Sequence, residues 1–150
     1  MSQDMKYEIT LPIHEDLGGY KSLSYVDPES SKSCRDSLEL MATYFRRECK
    51  YDHLQYESSC HHQKFTGVLF FEKAMDLVKE IDHYPNRVIG GAGFLEQSGG
   101  YTLDWIWIHP FSRNRGNLRK HWPKLKEKFG EFNLSHPISA QMARFLEKNA

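Results

Sequence analysis

Apolar residues at Leu38, Met41, Phe45 and Cys49 recur at helical spacing and predict an amphipathic helix starting near Arg35, with Ser33 or Asp36 to cap it. A second stripe, Phe70, Ala74, Leu77, Val78 and Ile81, predicts a helix that ends before Tyr84-Pro85. Leu118, Trp122, Leu125 and Phe129 form a third, and Gly130 suits the position just past its end. Pro137-Ile138-Ser139 opens a fourth, with Met142, Phe145 and Leu146 facing inward and Ser139 as N-cap candidate. Between the second and third stripes the pattern changes. Arg87 to Glu96 and Tyr101 to His109, joined through Gln97-Ser98-Gly99-Gly100, read as a β-hairpin with a four-residue, glycine-bearing connection. Gly90, Gly91 and Gly93 weaken its first strand unless another backbone or a ligand must come close. Trp105 and Trp107 share a strand face with Leu103 by simple alternation, which makes at least one of them core.

The remaining segments are shorter. Lys6 to Thr10 and Tyr20 to Val26 have strand character on either side of Leu17-Gly18-Gly19, and Asp27 to Ser31 reads as a turn. Lys50 to Lys64 is polar and reads as loop, and Phe132 to Ser135 is short and strand-like. The order β-β-α-β-α over residues 87–148 predicts a mixed α/β or α+β sheet. With 150 residues, 39% hydrophobic and 13% aromatic, one domain spanning 1–150 with one real core is expected. Lys+Arg and Asp+Glu are both 20, so the net charge is 20 − 20 = 0 and any basic site must be local. No apolar run approaches the roughly 20 residues of a membrane helix, and no signal pattern opens the chain. Cys34, Cys49 and Cys60 are odd in number and widely spaced, which fits reduced thiols and a cytoplasmic setting.

The most informative stretch runs from Asp104 to Leu118, where a strand passes through Pro110 into a polar loop that feeds a helix. The first turn of a helix presents unpaired N–H groups and partial positive charge, so phosphates bind there. Gly116 lets backbone approach such a ligand, and Arg113 and Arg115 add cationic donors. This strand, proline and Arg-x-x-Gly helix opening resembles the acetyl-CoA pyrophosphate loop of the GNAT acetyltransferase superfamily, usually Arg/Gln-x-x-Gly-x-Gly/Ala. Arg113, Asn114, Arg115 and Gly116 match it, while Leu118 stands where Gly or Ala is usual. Val88 to Phe94 resembles the family's third strand. The Leu134-Ser135-His136-Pro137-Ile138-Ser139 stretch is similar to the Ser-Asp-Pro element of cohesin acetyltransferases, with His136 in place of Asp. The likeness covers roughly residues 87–148.

The resemblance implies a GNAT-like α/β domain with a mixed, mostly antiparallel sheet flanked by helices. It also implies acetyl-CoA as co-substrate and transfer of its acetyl group to an amine by direct attack in a ternary complex. Ile106 and Ile108 would hold the pantetheine arm through backbone groups, and Asn117, Leu118 and Ser139 join the coenzyme-contacting set. Family members continue into two more strands, which supply an acceptor wall and a thiolate-protonating Tyr, whereas this sequence reads as truncated at Ala150. Attack by an amine needs a base, and Asp104, His136 and Glu96 are the candidates. The acceptor stays open between protein lysine, N-terminus, polyamine and antibiotic amine, and a homodimer is equally open.

Other chemistries have weaker signals. Cys49-x3-His53 and Cys60-His61-His62 carry zinc-ligand types at spacings that match no common finger, so no metal is expected. Arg113 to Lys128 holds seven Lys/Arg against Glu127 alone, and with Trp105, Trp107, Phe111 and Trp122 nearby it offers a nucleic-acid or zinc-bearing module as the alternative. Trp122 belongs to the core stripe, however, and basic residues opposite it solvate a helix, which disfavours nucleic acid. A GNAT fold kept as a non-catalytic binding protein is a further alternative.

Overall fold

The first helix starts one turn earlier than its apolar stripe because Ser31 is the residue that caps it. Ser31 has extended backbone, and its Oγ accepts from the Cys34 N–H at 3.2 Å, which fixes α1 as Lys32–Cys49. Ser33 and Asp36, the expected caps, lie inside the helix, and Asp36 instead bonds Lys32 at 2.8 Å and Ser58 at 2.7 Å. This computed structural model describes residues 11–14, 22–50, 52–74, 86–113, 116–134 and 140–149. Outside the described residues lie Lys6 to Thr10, Leu17-Gly18-Gly19, and the helical positions Leu77, Val78 and Ile81. So do the site candidates Asn114, Arg115, His136 and Ser139, and the side chains of Asn117, Met142 and Phe111.

The strands are β1 (Ile13–His14), β2 (Leu23–Val26), β3 (Phe65–Lys73), β4 (Asn86–Gln97), β5 (Gly100–Ile108) and β6 (Asn133–Leu134). Helices α2 (Asn117–Phe129) and α3 (Ala140–Asn149) follow β5 and β6. The sheet runs β2-β3-β4-β5-β6, with β1 pairing with the start of β4. Every pairing is antiparallel except β5 with β6, which is parallel. The mixed, mostly antiparallel sheet flanked by helices expected from the sequence is the architecture observed. No helix among the described residues is long and apolar enough to cross a membrane.

Phe70 lies in β3, not in the expected helix. Phe65, Leu69 and Phe71 pack under α1, while Val68 and Phe70 pack under α2. Both faces of the strand are covered, so its sequence is a nearly unbroken apolar run without the alternation that marks a half-buried strand. Gly67 and Gly91 form a flat floor for α1: a Cβ on Gly67 would overlap Leu38, and one on Gly91 would sit 2.9 Å from Met41. The glycines therefore serve close approach of helix to sheet, and the expected need for backbone proximity is met by protein, with Trp107 O against Gly90 and Trp105 against Gly93.

A β-bulge decides which way the hairpin tryptophans face. Gly93 pairs with Trp105 and Phe94 with Leu103, so Asp104 is the extra residue on β5. Past it the alternation is reversed. Leu103 joins the cluster under α2 with Trp122, Leu125 and Phe129, whereas Trp105 and Trp107 pack under α1 on Phe45 and Tyr44. Both tryptophans are core, and Leu103 is not on their face.

Candidate active site

β5 and α2 stand on either side of residues 109–116 as the sequence predicts, and the end of β5 leaves an edge open. β6 pairs with β5 only at Thr102 and Leu103. From Asp104 to Ile108 the outer edge of β5 has no strand partner among the described residues. The His109 N–H turns toward β4 and donates to Ile89 O at 2.7 Å, while Ile108 O faces the other way and accepts from Arg113 Nε at 2.7 Å. By the two-residue repeat, Ile106 and Ile108 present their backbone groups to this open edge.

After a short 3-10 turn at Pro110–Ser112, Gly116 occupies the N-cap of α2 with φ 82°, a left-handed conformation that favours glycine. Among the described residues, no side chain caps this helix start and nothing lies within 4 Å of a Cβ placed on Gly116. The N-terminal N–H groups of α2 thus have no side-chain cap among the described residues. Leu118 packs partly buried against the cluster under α2, so its bulk points into the core and leaves the turn clear. His109, at the end of β5, has its pKa pushed down by burial and by the Arg113 charge, with Glu72 acting in the opposite sense.

Arg113 is engaged in a different way from a free phosphate ligand. Besides its bond to Ile108 O, its Nη2 donates to Glu48 Oε1 at 2.6 Å, and the same oxygen accepts from Trp107 Nε1 at 2.9 Å. One guanidinium therefore ties the turn to the end of α1 and to the strand that precedes it. Sequence reasoning missed Glu48, which no motif marks.

Asp104 is half-buried on the bulge, at the point where β6 leaves β5. Its carboxylate makes no hydrogen bond or salt bridge among the described residues. Burial raises its pKa, and the His53 charge opposes that rise. It opens into a cavity of about 420 Å³ walled by Leu54, Tyr56, Phe65 and Leu95, with Glu57 and His62 also lining it. Tyr56 and Phe65 stack at 5.2 Å between centroids. His61 Nε2 must carry the proton it donates to Phe65 O at 2.8 Å, so in the neutral ring Nδ1 accepts from Tyr56 O–H at 3.0 Å. Burial pushes the Tyr56 hydroxyl up to about 12, which keeps it protonated.

The structure brings Asp104 to the open edge and the cavity, but not Glu96. Glu96 is exposed and alternates with Leu95, a cavity wall, so it faces the other side of the sheet. The zinc-type residues are dispersed: His61 bonds Tyr56 and Phe65, His62 Nδ1 accepts from Lys64 N–H, and burial raises the Cys49 thiol, as does nearby Glu48. Among the described residues, no group of three or more His, Cys, Asp or Glu is arranged to hold a metal ion. Exposed Arg119, Lys120, Lys124 and Lys128 line α2, with Lys128 Nζ 4.7 Å above the Tyr25 ring.

Compared by sequence, the chain matches no family model and no curated protein. Compared by structure, it is similar to a ribosomal-protein-alanine N-acetyltransferase from Brucella melitensis biovar Abortus 2308. That likeness has a TM-score of 0.56 at 12% identity, over 85% of this chain and 90% of that one. An integron cassette protein from the mobile metagenome of V. cholerae is similar at TM-score 0.46 and 13% identity, over 86% and 85%. The first of these likenesses shows the fold: this chain has the fold of an N-acetyltransferase.

Proposed function

We propose that this chain is an N-acetyltransferase that moves the acetyl group of acetyl-CoA to an amine by direct attack in a ternary complex. The observation that carries the reading is the meeting of two features at Asp104. The open edge of β5 begins there, and the cavity with the half-buried carboxylate opens there. The exposed backbone of Ile106 and the remaining capacity at Ile108 would pair with the pantetheine amides. The N–H groups after Gly116, uncapped among the described residues, would receive the pyrophosphate. Arg113, committed to Glu48 and Ile108, would hold the turn in position.

In this reading Asp104 accepts the proton that the attacking ammonium must lose. The raised pKa of its carboxylate brings it nearer to that task than an ordinary exposed carboxylate. As the new N–C bond forms, the thioester C–S bond breaks and the sulfur leaves with a proton, so the products are an amide and a free thiol. The stacked Tyr56–Phe65 pair, which lines the cavity with Asp104, would exclude water from that side of the carboxylate.

Calorimetry with acetyl-CoA tests the reading on the wild type, Gly116→Glu and Lys126→Glu. Gly116→Glu adds a side chain and a negative charge where the phosphates would lie, and binding should be lost. Lys126, further along α2 and 3.7 Å from Glu131, should matter little. No heat with wild type at millimolar coenzyme removes the proposal. Oligonucleotide binding that weakens evenly with each lost α2 cation, and steeply with salt, would favour the basic-face alternative.

A further inference from the structure

We propose that the cavity beside Asp104 selects an unsubstituted ammonium on an apolar stem and rejects an amine that carries a free carboxylate next to it. The acetyl-transfer reading supplies only the fate of that amine; the selectivity itself follows from the walls of the cavity. Asp104 is a half-buried carboxylate with no hydrogen bond or salt bridge among the described residues, and it faces a space of about 420 Å³. That volume is in the range of small-molecule sites, roughly 300–1,000 Å³. A partly desolvated anion without a donor favours a cation that brings its own N–H groups. Leu54, Leu95 and the stacked Tyr56–Phe65 pair then offer apolar surface to whatever carries that cation.

The same walls are poorly equipped for a second, negative group. No Lys or Arg is among the described residues that line the cavity. Arg35, whose charge reaches Tyr56, is committed to the carbonyls of Ser30 at 3.2 Å and Ser58 at 2.8 Å. The Tyr56 hydroxyl, which could otherwise donate to a carboxylate, donates to His61. Glu57 adds negative charge at the cavity. His62 and His53 are the nearby groups able to carry positive charge, and the first already accepts from Lys64 N–H. A free α-carboxylate would thus stand beside two acidic residues with no lining Lys or Arg among the described residues, whereas an amide or a plain alkyl stem would meet no such repulsion.

The shared chemistry can come from a small amine or from the N-terminus of a peptide, and a four-compound panel separates them. Isoamylamine, leucinamide, a leucyl-glycyl-glycine amide and free leucine are titrated into the full chain, with binding followed by NMR and no coenzyme present. The first two should bind at least about tenfold more tightly than leucine. The peptide amide should match leucinamide if N-termini enter, and fall behind if only small amines do. Asp104→Asn should level the ranking, and Gln55→Arg, which adds a cation at the cavity wall, should narrow the gap for leucine. Leucine binding as tightly as leucinamide on the wild type overturns the inference, as does an unchanged ranking in Asp104→Asn. Acetyl-CoA is titrated separately. If it gives no heat while the amine ranking holds, the acetyl-transfer reading falls and the cavity's selectivity stands.

Discussion

Glu48→Ala is the perturbation that tests the role assigned to Arg113 most directly. In the folded protein Glu48 Oε1 accepts from Arg113 Nη2 at 2.6 Å and from Trp107 Nε1 at 2.9 Å. A hydrogen bond between charged groups contributes about 1.5–3 kcal/mol, and less here because the Glu48 side chain is 34% exposed and Arg113 is 18% exposed. Trp107 is only 4% exposed, so its orphaned N–H costs a further 1–3 kcal/mol or so. The net loss should be about 2–4 kcal/mol. At about 2–4 °C per kcal/mol for a chain of this size, the melting temperature should fall by roughly 4–16 °C. Glu48→Gln keeps an acceptor oxygen and should recover about half of that. Because Arg113 ties the turn to α1, acetyl-CoA affinity should also fall by about tenfold in Glu48→Ala and in Arg113→Ala. The double variant should be little worse than either, which corresponds to a coupling of about 1–2 kcal/mol. Melting by circular dichroism and calorimetry with acetyl-CoA provide both readouts. Tighter acetyl-CoA binding in Glu48→Ala would refute the reasoning, because it would mean that Arg113 is a phosphate ligand held back by Glu48.

Three further outcomes are expected. His121 is buried against Phe70, its Nδ1 has no hydrogen-bond partner among the described residues, and burial followed by Lys120 and Lys124 lowers its pKa from 6.5 to about 4. The unfolded chain then binds the extra proton between those values, so stability is full above about pH 6.5 and declines toward pH 4, by roughly 3 kcal/mol in all. The melting temperature at pH 5 should therefore drop relative to pH 7.5, and the drop should shrink in His121→Phe. Asp104→Asn should reduce turnover by about 10²–10⁴ while coenzyme affinity holds. Wild-type activity should rise with pH through a value above that of an ordinary carboxylate, and a limb unchanged in the variant would assign the base elsewhere. Gly67→Val drives a side chain into Leu38 at the α1–sheet contact, so denaturant unfolding should show a loss of about 1–3 kcal/mol or failure to fold.

Much of the architecture was legible in the sequence. The stripes Leu38–Phe45 and Leu118–Phe129 have one wet face and one buried face, so their period survives in the residue pattern and marks α1 and α2. The hairpin announced itself through its glycine-bearing turn, and Gly116 through its place between strand and helix. β3 was hidden because it is buried on both faces, and a strand without a polar side has no alternation to read. Only pairing with β4 revealed the bulge at Asp104, since an extra residue on one strand is defined by its partner. That bulge turns Leu103 and Trp105 to opposite faces, which no count along β5 could foresee. The candidate site divides in the same way. Ile106, Ile108 and Gly116 belong to one continuous stretch whose backbone geometry is local. Leu54, Tyr56 and His62 share a cavity with Asp104, and Glu48 reaches Arg113 and Trp107, through contacts between segments far apart in the chain. Local spacing records what a residue does within its own strand or helix; which distant side chains share a cavity or a charge depends on how those elements pack.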